Sequence, residues 1–403
     1  VLRRAGEPEP IRVGLVGCGG RGTGAAEDVL NAAPGVRLVA LADAFPDRIA
    51  KCREHLVSLR HEGYAVAEER SYAGYDGWRR LLDSGVDLVL LCTPPGFRPL
   101  HFAGAVEAGK HVFFEKPVAV DPVGVRKVLA TGEEAERRGL GAVTGTIYRH
   151  TRKFIETVRR IREGAIGELL SFRAAYNTGA LWRYDRKPGD RELEFQVRNW
   201  PYFDWLSGDI VVEQHVHTLD VVSWVLGRKP LRAIGTGGQA ARTGPEHGNV
   251  YDHFAIDYAF DGGVHGLSMN RQIAGAHGEV GAWFYGTEGV ASPYAGTIEG
   301  SKPWKFEEGE PDNAYVREHT DLIESIRAGK PLNEARQIAE STLLAILGRE
   351  AAYTGKTITW EQMQASDLDL TPPGFDWANP DPARDPPVRA VPMPGRPRES
   401  KTA

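Results

Sequence analysis

Ile11-Arg-Val-Gly-Leu-Val-Gly17-Cys-Gly19-Gly-Arg-Gly22 is an apolar run that passes into a glycine-rich turn and then into a helical run from Thr23 to Leu30. Each glycine has its own physical task. Gly17 makes the tight turn, Gly19 lets backbone approach a pyrophosphate, and Gly22 lets helix and strand pack closely. Gly20 and Arg21 sit between, where the helix start offers unpaired N–H groups and a positive dipole end. In a chain with 47 glycines this spacing alone is weak, and context strengthens it. A second apolar run, Val36 to Ala42, ends in Asp43, 21 residues beyond Gly22, where an acid that holds a ribose 2′-hydroxyl is expected. Strand, glycines, helix and acid in this order predict a dinucleotide pocket.

Outward from that stretch, strands and helices alternate. Pro46 opens a helix to about Arg60, and a further helix covers Gly77 to Leu82. The continuous apolar run Val86 to Cys92 reads as a buried parallel strand ending in Thr93-Pro94, with a helix from Arg98 to Ala108 behind it. His111 to Glu115 is another strand, turning at Lys116-Pro117, before a helix from Pro122 to Arg138 and a strand from Leu140 to Thr144. The order predicts a doubly wound parallel sheet, a Rossmann domain over 11–145. Ligands bind beyond the carboxyl ends of such strands. Gly17, Gly19, Gly20, Arg21, Gly22, Asp43, Thr93, Pro94, Glu115 and Lys116 should therefore share one crevice. A carboxylate at Asp43 accepts hydrogen bonds from an unmodified ribose and repels an added phosphate, which favours NAD over NADP. Arg48, one helical turn on, is the residue that could face a phosphate instead.

From Tyr148 the pattern changes. A helix with Phe154, Ile155, Val158 and Ile161 on one face is closed by Gly164-Ala-Ile-Gly167. Strands follow at 168–176, 232–235, 253–260, 264–271 and 281–285, with Asp261-Gly262-Gly263 as a hairpin turn. This predicts an α+β domain over 146–371, a mostly antiparallel open-faced sheet with helices on one side. The free face is the expected contact of a homo-oligomer.

The chemistry is expected in Ser207 to Asp220. Read as a helix, Glu213 and His217 share a face, and a carboxylate so placed fixes an imidazole's tautomer for general-base work. Read as a strand, Glu213, His215 and His217 would point one way and could ligate zinc, but the apolar run Val221 to Leu226 fits a helix, so no metal is expected. Trp182-Arg183-Tyr184 and Arg198-Asn199-Trp200 mix aromatic faces with hydrogen-bonding groups, as carbohydrate sites require. Tyr148, Arg149 and His215 join them as substrate-pocket candidates, and Tyr315, Glu318 and His319 carry low weight. The helix from Asn333 to Tyr353 is read as structural.

The chain has 403 residues, 41% hydrophobic and 26% charged, with a net charge of −5, which gives no reason to expect nucleic acid or an anionic membrane as partner. Three cysteines, Cys18, Cys52 and Cys92, argue against a disulfide framework or a thiolate zinc site. Residues 1–10 read as a polar tail, and the cytoplasm is the default compartment. The last 33 residues, 371–403, hold nine of the 26 prolines, so 372–403 is expected to be an extended arm on the body, an arm on a neighbouring subunit, or disorder.

The glycine turn, the strand-terminal acid, Thr93-Pro94 and Glu115-Lys116-Pro117, in that order, resemble the Gfo/Idh/MocA family of sugar and polyol oxidoreductases. The resemblance implies that Lys116 hydrogen-bonds the reacting hydroxyl. It also implies that Glu213 and His217 stand where the family has an aspartate and, four residues on, a histidine, and that the C-terminal sheet forms dimers or tetramers. Glu213 is one methylene longer than the usual aspartate, and His215 replaces a small residue. The expected activity is NAD-dependent oxidation of a sugar, polyol or glycoside hydroxyl. The alternative is a glycoside hydrolase that oxidises, eliminates and returns the hydride, as do relatives with a turn like Gly19-Gly20-Arg21-Gly22. A non-catalytic NAD-binding sensor is a third class, disfavoured by the presence of both Lys116 and His217.

Overall fold

The computed structural model describes residues 9–307, 309, 313–381 and 383–396. Residues 1–8 of the expected tail and 397–403 of the expected arm lie outside the described residues. The first sheet has six parallel strands: β1 (Ile11–Val16), β2 (Val36–Asp43), β3 (Ser71–Ala73), β4 (Leu88–Leu91), β5 (His111–Phe114) and β6 (Ala142–Thr144). Their order is β3-β2-β1-β4-β5-β6, so the sheet reverses direction of growth between β1 and β4. That switch point opens a crevice beyond the strand ends, beside the glycine turn. The short β3 was not expected; only three residues pair, too few to leave an apolar run.

The second sheet has nine strands: β7 (Leu169–Thr178), β8 (Arg232–Gly238), β9 (His253–Ala259), β10 (His265–Gln272), β11 (Glu279–Gly286), β12 (Gly289–Ser292), β13 (Thr297–Gly300), β14 (Trp304–Lys305) and β15 (Ile358–Thr359). Its order is β14-β13-β12-β11-β7-β10-β9-β8-β15. Every pairing is antiparallel except β7 with β10 at the centre. One face carries helices Arg152–Arg162, Val216–Leu226 and Ala335–Thr354, the last ended by Gly355 in the left-handed region. On β10 burial alternates strictly over its first four residues, with Gly266 and Ser268 inward and His265 and Leu267 outward, as expected for a half-covered sheet.

The two units are not consecutive along the chain. Helix Ala314–Arg327 buries Leu322 and Ile323 in the same core as Val13, Leu15 and Phe113, so the first unit borrows a helix from sequence assigned to the second. The described residues of the proline-rich arm, 371–381 and 383–396, lie on their own body. Phe375 and Trp377 pack on Phe97 and Trp205. The Tyr251 hydroxyl donates to the Pro392 carbonyl at 2.8 Å, and the Gly395 N–H to that of Thr354 at 3.1 Å.

Candidate functional site

The glycine turn is shaped by contacts only glycine permits. Gly17 has φ +98°, and a Cβ there would sit 2.7 Å from the Cys92 carbonyl carbon. A Cβ on Gly22 would lie 1.8 Å from the Gly17 oxygen, whereas one on Gly20 would meet nothing within 4 Å. Helix Gly20–Ala32 therefore starts directly against β1 and presents its first N–H groups to the crevice. Asp43 ends β2 with its carboxylate accepting the Cys18 N–H at 2.7 Å and the Phe45 N–H at 2.9 Å. Burial raises its pKa, opposed by those two donors. A cleft runs from Gly17 and Gly19 past Asp43, Arg48, Thr93 and Pro94 to Trp200. A cradle that a Cβ would fill, with an acid at the neighbouring strand end, fits the pyrophosphate and ribose of a dinucleotide.

The loops beside the expected crevice are tied by an arginine that sequence reading missed. Arg98 is buried and donates to the carbonyls of Pro117, at 2.5 Å, and Thr93, tying the loop after β4 to the loop after β5. Its position at the start of a helix gave no sign that it turns inward. Arg21 spans the other side, 3.3 Å from Glu115, bonded to Asp28 at 2.5 Å, with Tyr315 stacked 4.7 Å from its guanidinium carbon. Glu318, behind this pair, is fully buried with neither carboxyl oxygen bonded among the described residues, and burial pushes its pKa well up. His319 packs on Phe113 and is pushed by burial to about 3.

The stretch read as one helix is two. Helix Ile210–Glu213 stops, Gln214 and His215 form a turn, and helix Val216–Leu226 begins. Among the described residues no hydrogen bond joins Glu213 to His217. Glu213 instead holds Lys116, whose Nζ donates to the Glu213 carbonyl at 2.6 Å and to Oε1 at 3.1 Å. His217 lies between Tyr148, edge-on at 5.7 Å, and Tyr176, stacked at 6.5 Å. Burial, then the Lys116 charge, drives its pKa well below the ordinary value, so the imidazole is neutral. Burial takes Tyr148 and Tyr176 to about 12, which keeps both as hydrogen-bond donors and not bases. Tyr294 packs on Tyr148, and its hydroxyl lies 3.0 Å from Thr218 Oγ1, pinning the helix that carries His217. Tyr176 and Tyr294 belong to a strand end and a turn with no motif of their own.

Six of the expected substrate residues have partners elsewhere. His215 is buried with Nε2 2.7 Å from Ser268 on β10, because the turn at Gln214 swings it onto the sheet. Arg149 makes two bonds to Asp220 at 2.8 and 2.9 Å and lies over Trp224. Asn199 is buried and clamps Tyr184, accepting its N–H at 2.8 Å. Arg198 bridges Glu194 and Asp47, both at 2.8 Å, over the Phe45 ring, and Trp200 lines the cavity of the glycine turn. Trp182 is 46% exposed and meets Tyr184, which in turn covers Arg48. Of the expected substrate residues, Tyr148 is the one that packs against His217. Among the described residues no group of three or more His, Cys, Asp or Glu side chains is arranged to hold a metal, and no helix is long and apolar enough to cross a membrane.

Residues 11–141 match the oxidoreductase family described as NAD-binding Rossmann fold, and residues 154–292 match the GFO/IDH/MocA C-terminal domain. A glycosyl hydrolase family 109 protein from Porphyromonas gingivalis is 31% identical over 182 residues, 44% of this chain and 36% of that protein. The aligned stretch thus spans little more than a third of that relative. Among solved structures, myo-inositol 2-dehydrogenase from Lactobacillus plantarum has a TM-score of 0.68 at 19% identity, over 87% of this chain and 99% of its own. Levoglucosan dehydrogenase, in complex with NADH and levoglucosan, has a TM-score of 0.66 at 18% identity, over 88% of this chain and 100% of its own. At these identities the likeness is one of fold.

Proposed function

The chain belongs to the Gfo/Idh/MocA oxidoreductase family, and from that premise we propose that it oxidises a hydroxyl of a sugar, polyol or glycoside with NAD. The observation that carries this reading is a neutral His217 beside Lys116, at the end of the strand that borders the dinucleotide crevice. Gly17 to Gly22 would hold the pyrophosphate and Asp43 the adenosine ribose, whose 2′-hydroxyl can bond a carboxylate that a 2′-phosphate would be repelled by. The nicotinamide, when bound, accepts the hydride. His217 takes the hydroxyl proton, and Lys116 donates a hydrogen bond to the same oxygen and stabilises negative charge developing on it. Glu213 fixes the lysine. Tyr148 and Tyr176, held protonated, donate to neighbouring hydroxyls.

A second reading, a glycoside hydrolase, is favoured by the family 109 relatives; the chain would then oxidise a sugar hydroxyl transiently, eliminate the aglycone and return the hydride. One assay separates the two. With NAD and a panel of glucosides, galactosides and inositols, NADH absorbance and released aglycone are followed together. Net NADH supports the dehydrogenase, aglycone without NADH supports the hydrolase, and silence in both across the panel would overturn the first proposal.

We also infer a homo-oligomer through the open face of the second sheet. Ile234 and Leu267 stand exposed on β8 and β10, in one row across that face with Asp257, Arg173 and Trp283, and exposed apolar side chains on an uncovered sheet face suit contact with a second copy. Sedimentation velocity tests it: a monomer at micromolar concentration would sink the idea.

A further inference from the structure

A second cavity, of about 230 Å³, lies under the turn Gly227-Arg228-Lys229-Pro230 and shares no lining residue with the cavity of the glycine turn. Its walls are the end of helix Arg152–Arg162, the end of helix Val216–Leu226, the start of helix Ala335–Thr354, and Trp360. Two hydrogen-bond donors in this lining have no acceptor. Trp360 is 5% exposed, and its Nε1 is buried without a partner. Gln337 Nε2, in the first turn of its helix, is likewise buried and unpaired. An N–H group out of water and unbonded costs about 1–3 kcal/mol, so two such groups on residues that line one cavity favour an occupant that accepts hydrogen bonds.

Charge says which kind. Four cations line the cavity, Arg149, Arg162, Arg228 and Lys229, against one carboxylate, Glu340. Glu340 is taken by Lys229 at 3.1 Å, and Arg149 by Asp220 at 2.8 Å. Arg162 lies against Gly227, where helix carbonyls carry partial negative charge, which offsets part of its own. Arg228 has no acidic partner among the described residues. The balance is one to two uncompensated positive charges beside unpaired N–H donors, with Ser223 as a further hydroxyl. Such a lining suits an oxyanion: fixed donors meet its oxygens and guanidinium groups its charge.

We propose that this cavity is a binding site for a phosphate-like oxyanion, either free phosphate or the phosphoryl group of a small metabolite. Nothing in it depends on the proposed hydride chemistry.

The test uses the full chain saturated with NAD, so that the glycine turn is already filled. Inorganic phosphate and, separately, glucose 6-phosphate are titrated calorimetrically at ionic strength held constant with sodium chloride. Wild type should show one saturable site for at least one of them. Preference for inorganic phosphate identifies the free ion, and preference for the sugar phosphate identifies a metabolite. Trp360→Phe, which removes the indole N–H and keeps an aromatic though smaller ring, and Arg228→Ala, on an exposed turn, should each weaken binding by about tenfold. NAD affinity and urea midpoint report that both variants remain folded. No saturable site in wild type, or equal affinity in wild type and both variants, would overturn the proposal.

Discussion

Gly22→Ala is the most direct probe of the dinucleotide pocket. The added Cβ would lie 1.8 Å from the Gly17 oxygen, and ordinary contact begins near 3.4 Å, so turn and helix must part by about 1.6 Å. That displacement exceeds the range over which an N–H to phosphate hydrogen bond survives. Losing two charge-assisted bonds of about 1.5–3 kcal/mol each gives about 3–6 kcal/mol, or at least ~100-fold in affinity. Gly20→Ala is the matched control: it sits in the same helix start, meets nothing within 4 Å, and gains helix propensity. Calorimetric titration with NAD, with circular dichroism to confirm folding, should leave Gly20→Ala at wild-type affinity and weaken Gly22→Ala by that factor. A folded Gly22→Ala protein that binds NAD within about threefold of the control would refute the assignment of this turn to the pyrophosphate.

Three further outcomes are expected. His217 is held neutral by burial and the Lys116 charge, so kcat/KM for oxidation should show no acid limb near the ordinary imidazole value of 6.5; His217→Asn should cut kcat by about 10²–10⁴ with NAD affinity unchanged, and a limb near 6.5 in wild type would contradict the neutral assignment. Arg98→Met leaves the Thr93 and Pro117 carbonyls unbonded in a buried site, a loss of about 2–6 kcal/mol readable as a urea midpoint; a loss under about 1 kcal/mol would show that Arg98 does not hold the loops. His150 is driven down by burial but raised overall, to about 9, by Asp321 and Glu334. Its folded pKa lies above the unfolded 6.5, so its contribution of about 3 kcal/mol is complete below 6.5 and lost as pH rises to 9. In His150→Gln, that alkaline loss of stability should vanish from urea titrations taken across this range.

What the sequence made legible was local. The glycine turn, Asp43, the strand from Leu88 and the helix from Pro122 each sit within a continuous pattern of apolar period and breaker residues, and each is where that pattern puts it. What it hid depends on partners far along the chain. Arg98 turns inward to two carbonyls, Leu322 crosses to the first unit, and Phe195, Tyr202 and Trp205 form a core with Phe97 and Trp377 instead of a sugar platform. An aromatic with an adjacent Arg or Asn has the same composition whether it faces a sugar or a neighbouring ring. Only the fold separates them. Strands of four residues or fewer, β12 to β15, escape for another reason: periodicity needs more residues than they have.

The broken helix at Gln214 connects these levels. A continuous helix would bond the His217 N–H to the Glu213 carbonyl, four residues back. Here that N–H goes to the Gln214 carbonyl at 3.3 Å, and the His215 N–H reaches five residues back to Ile210 at 3.2 Å. The Glu213 carbonyl is left without a helical donor, and Lys116 takes it at 2.6 Å. The forces that hold the break are distant: Gln272 Nε2 donates to Gln214 Oε1 at 2.7 Å, and His215 lies 2.7 Å from Ser268, both partners on β10. No periodicity over 207–220 can carry that information, which is why a helix looked complete and a Glu213–His217 pair followed from it. The break also explains how a glutamate serves where the resembling family has aspartate. Lys116 is seated first by a backbone oxygen, whose position does not depend on side-chain length, and the longer carboxylate reaches back to the same ammonium at 3.1 Å.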